Sequence, residues 1–125
     1  MKKRVLVVED DLGFRKLLHF VLSQAYEVTV VENGQEAVET LQVLPVDLIV
    51  TDIDMPEMNG VELISFLKGH AVYQQIPVMV LSSFKPELLS AQISMTDIVG
   101  YFEKPLELKK LKESIDSVFR ESVMA

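Results

Sequence analysis

Apolar and polar positions along the chain keep two alternating rhythms. Short uninterrupted apolar runs, Val5-Leu6-Val7-Val8, Leu48-Ile49-Val50 and Val78-Met79-Val80-Leu81, have the length and β-branched content of strands buried on both faces. Between and after them, apolar residues recur every three or four positions: Phe14, Leu17, Leu18, Val21 and Leu22; Ala37, Val38 and Leu41; Leu63, Ile64 and Leu67; Leu108, Leu111, Ile115, Val118 and Phe119. These are the stripes of amphipathic helices. Glu27 to Val31 reads as a second strand and Val99 to Phe102 as a short fifth one. Punctuation fits this division: Asp11 is placed to cap the first helix, Asn33-Gly34 turns into the second, and Pro45 closes that unit. Gly69 ends a helix predicted over about Val61 to Lys68, and Pro86-Glu87 opens another. Five strands alternating with five helices predict an α/β fold, a parallel sheet covered on both faces.

In such a sheet the strand carboxyl ends share one edge, and ligands bind there, where strand order reverses. Four of those ends carry Glu9-Asp10, Asp52, Ser82 and Lys104. Pro56 and Asn59-Gly60 forbid continuation of the third strand, so Asp52 stands at its mouth, facing a loop-lined crevice. A single Asp after a strand is ordinarily a turn or cap residue. Carboxylates, a hydroxyl and an amine delivered to one edge by topology make a site.

Composition limits what that site serves. A chain of 125 residues, 49% apolar and 25% charged, suits one compact domain spanning residues 1–125. Its net charge of −7 repels a phosphate backbone, so direct binding of nucleic acid is not expected. No apolar run approaches membrane-spanning length, and the basic start Met1-Lys2-Lys3-Arg4 is followed only by Val5 to Val8, too little for a signal peptide. Neither membrane insertion nor secretion is expected. The absence of cysteine excludes disulfides and thiolate metal sites and fits a reducing cytoplasm.

Three converging carboxylates repel one another, so either one of them takes up a proton or a cation sits between them. A hard divalent ion is the natural solution with oxygen ligands alone, and magnesium, which keeps several waters and bridges to phosphate, suits it best. His19 and His70 lie elsewhere and read as solvated residues. With the acids neutralised, Asp52 can attack phosphorus and form an acyl phosphate. Lys104 and Ser82 then supply donors for the remaining phosphoryl oxygens. A cis peptide between Lys104 and Pro105 would fix the backbone and aim the amine inward.

At this point the residues match a family. The chain resembles the receiver domain of two-component response regulators from about Arg4 to Phe119. The resemblance rests on Glu9-Asp10 after strand one, Asp52-Ile53-Asp54-Met55-Pro56 with Asn59-Gly60 behind it, Ser82 after strand four and Lys104-Pro105 after strand five. It implies a flavodoxin-like doubly wound sheet of order 2-1-3-4-5 and Mg2+-dependent phosphorylation of Asp52 by a sensor histidine kinase or phosphotransfer protein. Asp10 and Asp52 would ligate the ion, Glu9 would act through water, and the backbone carbonyl of Asp54 would complete the protein ligands. Ser82 resembles the family's switch hydroxyl and Tyr101 its switch aromatic. Together they would alter the face made by the fourth helix, fifth strand and fifth helix, where an output partner, an effector domain or a second copy would dock. The chain departs from the family at Asp97-Ile98, where Gly-Ala is common, and at the extra acid Asp54.

Other readings stand beside it. Asp52-x-Asp54 resembles the nucleophile motif of haloacid-dehalogenase-type phosphatases, turnover enzymes in which the second Asp is the general acid. Against this, Met55-Pro56 stands where that family has a small residue or Thr, and its nucleophile strand comes first in the chain. A receiver that binds partners without phosphorylation is a further alternative. A flavin domain of the same fold would need a phosphate loop where acids stand.

Overall fold

The computed structural model describes residues 2–55 and 57–124. Five strands, β1 (Arg4–Val8), β2 (Glu27–Val31), β3 (Leu48–Asp52), β4 (Val78–Ser82) and β5 (Gly100–Glu103), form one parallel sheet in the order β2-β1-β3-β4-β5. Between and after them run α1 (Leu12–Leu22), α2 (Gly34–Leu41), α3 (Gly60–Lys68), α4 (Pro86–Leu89) and α5 (Leu108–Met124). This is the flavodoxin-like arrangement. Register puts Val8 beside Thr51 and Asp52 beside Leu81, so the carboxyl ends of the central strands lie level along one edge.

Alternation along the strands builds two cores. Val5, Val7, Leu48, Val50, Met79 and Leu81 face one side, where Leu18 and Leu22 of α1 and Leu111 and Ile115 of α5 cover them. Leu6, Val8, Ile49, Val78 and Val80 face the other, against Ala37, Val38 and Leu41 of α2 and Leu63, Ile64 and Leu67 of α3. Each helix start on the site edge is fixed locally. Asp11 accepts from Phe14 N at 2.8 Å, Asn33 from Glu36 N at 2.9 Å, and Asn59 forms a reciprocal box with Glu62.

Three sequence expectations change. Leu17, assigned to the buried stripe of α1, is 47% exposed, because the line of contact runs through Phe14, Leu18 and Leu22 at four-residue spacing and leaves Leu17 outside it. His70 is half-buried, its ring stacked 4.3 Å from that of Tyr73 in the turn after α3, whereas His19 is exposed as expected. The fourth helix is a single turn. Only Leu89 of α4 is buried, so packing stabilises no second turn, and a short 3-10 turn at Met95–Asp97 carries the chain to β5.

One long-range anchor holds α5. The Tyr26 hydroxyl donates to Asp116, which also pairs with Lys112 at 3.1 Å, and the Tyr26 ring lies 5.3 Å from that of Phe119. Burial pulls the Asp116 carboxyl up, but the Tyr26 and Lys112 partners outweigh it and hold it below the ordinary 3.8. Its contribution to stability is therefore complete above about that value and is lost as pH falls through the lower folded one. Tyr26→Phe is expected to remove about 1 kcal/mol at neutral pH. The gap from wild type should narrow in acid below that folded value, as measured by urea unfolding at both pH values.

Candidate functional site

Asp52 closes β3, the strand next to the reversal of order between β1 and β3, and its side chain is 8% exposed. One carboxylate oxygen accepts from Ile53 N at 2.8 Å; the other lies 3.3 Å from Lys104 Nζ. Glu9, just past β1, is fully buried. Its Oε1 accepts from Lys104 Nζ at 2.9 Å and its Oε2 from Asp11 N at 3.2 Å. Asp10 sits on the solvent side of the loop, and one oxygen from each of Glu9, Asp10 and Asp52 lies within 4.8 Å of the others.

The Lys104 ammonium therefore bridges two of the three acids. Partial burial acts to lower its pKa, but Glu9 and Asp52 outweigh that effect and raise it above 10.5. Asp10 is pushed up by partial desolvation and by the neighbouring Glu9 carboxyl, against the pull of Lys104. Three carboxylates with one ammonium leave excess negative charge in a cleft of hard oxygen donors. That donor set fits a divalent cation of the magnesium class and offers nothing to a soft metal.

The other expected residues divide. Ser82 is buried at the end of β4, and its hydroxyl oxygen accepts from Phe84 N at 2.9 Å. Tyr101 is half-buried against the α2–α3 side of the sheet, and its hydroxyl donates to the carbonyl of the same Phe84. One residue of the β4–α4 loop thus links the two. The Asp54 side chain is exposed and stands outside the acid cluster. The Lys104-Pro105 peptide is cis, as expected.

Sequence reasoning missed several contributors. The Phe14 ring lies 5.2 Å beneath Lys104 Nζ, and Arg15 donates to the carbonyls of Glu9 and Asp10. In the sequence Phe14 reads only as part of a helix stripe, and Arg15 gives no signal, since a basic residue on a helix reads as a solvated one. Gly60, read as a turn former, begins α3 instead. A Cβ there would come within 2.4 Å of the Asp52 carbonyl oxygen, so only glycine allows the helix to start so close to the acid. The left-handed position in this loop falls at Glu57, with φ 64°.

Known proteins place this geometry. The family model of the response regulator receiver domain matches residues 5–116. The chain belongs to that family. It is 33% identical over 117 residues to the response regulator receiver protein CpdR of Brucella abortus, covering 93% of this chain and 96% of that one. The sensor histidine kinase TmoS of Ectopseudomonas mendocina is 32% identical over 115 residues, 92% of this chain, which spans only 12% of the kinase. Among solved structures, the signal receiver domain of a signal transduction histidine kinase from Syntrophus aciditrophicus superposes with a TM-score of 0.87 at 28% identity, covering 95% of this chain and 91% of that one. Receiver domains of this family thus stand both as nearly whole proteins and as parts of kinases. As a receiver, the chain has a signalling fold whose acid cluster could bind a metal ion. No helix among the described residues is long and apolar enough to cross a membrane.

Proposed function

We propose that this receiver domain accepts a phosphoryl group on Asp52 from a phosphohistidine of a sensor kinase or phosphotransfer protein, with Mg2+ held by Asp10, Asp52 and the Asp54 backbone carbonyl and, through water, by Glu9. The observation that carries the reading is the meeting of Glu9, Asp10 and Asp52 within 4.8 Å, with Lys104 Nζ 3.3 Å from Asp52. In the transfer an Asp52 carboxylate oxygen forms the new bond to phosphorus while the bond from phosphorus to the donor imidazole breaks, its electron pair returning to the ring nitrogen. The ion supplies charge neutralisation and orients the phosphoryl oxygens when bound. Lys104 donates to one of those oxygens, and Ser82 to another after leaving Phe84 N.

The last movement connects chemistry to output. Ser82 and Tyr101 both hold Phe84, so drawing Ser82 toward the phosphoryl group loosens the loop that Tyr101 caps, and the α4–β5–α5 face changes. That face would control an output partner, an attached effector domain or a second copy, in the cytoplasm, without turnover of a substrate. The exposed position of Asp54 favours this over continuous phosphatase turnover, which would need that acid over the leaving group.

Intact-mass measurement after incubation with acetyl phosphate and Mg2+ tests the proposal. One added phosphate is expected on the wild type and none on Asp52→Ala. Labelling that persists in the variant would reject Asp52 as the acceptor, and continuous release of phosphate over many turnovers would restore the phosphatase reading.

A further inference from the structure

Arg15 projects from α1 beneath the loop that carries the acid pair. Its side chain is 11% exposed, and one terminal nitrogen donates to the Glu9 carbonyl at 2.9 Å and to the Asp10 carbonyl at 3.3 Å. The second terminal nitrogen reaches a Glu32 carboxylate oxygen at 3.3 Å. Glu32 lies just beyond β2, where its own N–H is held by Glu36 at 2.8 Å. On the other side of the same loop, Glu9 N donates to the Val31 carbonyl at 3.0 Å. The Glu9 residue is thus held through both of its backbone groups, and Arg15 supplies the grip on the carbonyl side.

This grip opposes a specific force. Glu9, Asp10 and Asp11 are three consecutive acids, two of them in the cluster with Asp52, and their mutual repulsion favours a loop that swings outward. A guanidinium that sets one terminal nitrogen on two successive carbonyls and the other on Glu32 ties the loop to the end of β2 without touching the carboxylates of the cluster. We propose that Arg15 is a positioning residue that holds the Glu9-Asp10 loop in its ion-binding geometry. The assignment rests on the receiver reading and adds to it a group outside the acid, hydroxyl and lysine set.

Two effects of losing Arg15 oppose each other. Removing a positive charge near a cation site relieves repulsion and would tighten binding, whereas freeing the loop adds an ordering cost to every binding event. Glu32 already compensates much of the guanidinium charge, so the geometric effect wins. Arg15→Ala is expected to weaken Mn2+ binding about tenfold, the low end of the range for groups that orient metal ligands. Arg15→Lys keeps the charge, but its single ammonium nitrogen cannot span the two carbonyls and Glu32 as the two guanidinium nitrogens do, and its affinity should fall between those of wild type and Arg15→Ala.

The affinity is read by the paramagnetic resonance signal of free Mn2+, titrated into the intact chain without phosphodonor, and folding of each variant is checked by circular dichroism. A folded Arg15→Ala with wild-type or tighter affinity overturns the assignment, tighter binding with an unchanged Arg15→Lys being the mark of a purely electrostatic role. Should Arg15→Ala not fold, Arg15→Lys decides: weakening of about threefold or more supports the assignment, and wild-type affinity overturns it. A wild type that binds no Mn2+ and takes up no phosphate rejects the receiver reading, and the Arg15 assignment with it. Wild-type binding with an unaffected Arg15→Ala rejects only the latter.

Discussion

Lys104→Met is expected to lower the folding stability of the metal-free protein by about 3 kcal/mol, the low end for removing one partner of a buried ion pair. The low end applies because the lysine side chain is still 23% exposed. Methionine keeps most of the aliphatic bulk but removes the ammonium that lies over the Phe14 ring and is shared by Glu9 and Asp52. Glu9 is then left fully buried among like charges, with Asp11 N as its remaining hydrogen-bond donor. Because the folded pKa of Lys104 is raised above 10.5, its stabilisation is complete below that value and is lost only as pH rises through the folded one. The deficit at neutral pH therefore reports the whole interaction. Urea unfolding with and without Mg2+ checks the result, and the ion should recover much of the loss by supplying the missing positive charge. A variant as stable as wild type without metal would show that the acids tolerate one another unaided.

Gly60→Ala is expected to cost about 3 kcal/mol, at the upper end for overpacking. Helix propensity alone predicts the opposite sign, since alanine is favoured over glycine by up to about 1 kcal/mol within a helix. The steric conflict decides the outcome. The new methyl would meet the Asp52 carbonyl oxygen at 2.4 Å and Ile53 Cα at 2.8 Å, both backbone atoms that cannot move without shifting the acid itself. The same chain segment is closed by Gly60 N donating to the Ile53 carbonyl at 2.9 Å. Unfolding measurements should be paired with Mn2+ titration of the folded fraction, where weakened binding is also expected. An alanine variant more stable than wild type would mean that the loop between β3 and α3 has room for a methyl group.

Much of this was legible in the sequence because strands buried on both faces leave an unbroken apolar run, and a charged residue at the end of such a run stands out. Asp52 and Glu9 stand out that way, Lys104 instead by its place after the short fifth strand and immediately before Pro105, and alternation with helical stripes implies a parallel sheet; strand order comes from the family resemblance. What stayed hidden depends on relations no local pattern encodes. Leu17 satisfies helical spacing yet falls beside the line of contact, because a stripe gives a face and not its width. The shortness of α4 follows from how little of the segment after Pro86 reaches the core, and Leu88 and Leu89 look alike in sequence although one is 60% exposed and the other 1%. Arg15 works through backbone carbonyls, which every residue has, so its partners leave no trace in residue type. Glu57 takes up the left-handed conformation that the neighbouring Asn59-Gly60 would have suggested for itself.

The caps of α1 and α2 are made within three residues of the strand ends they follow, and that of α3 seven residues after Asp52, each by a bond within its own first turn. Substitutions on the outward sides of those helices are consequently expected to leave the shape of the cleft unchanged. A frame held by such local bonds depends little on the residues that face away from it, in keeping with a TM-score of 0.87 against a protein 28% identical to this one.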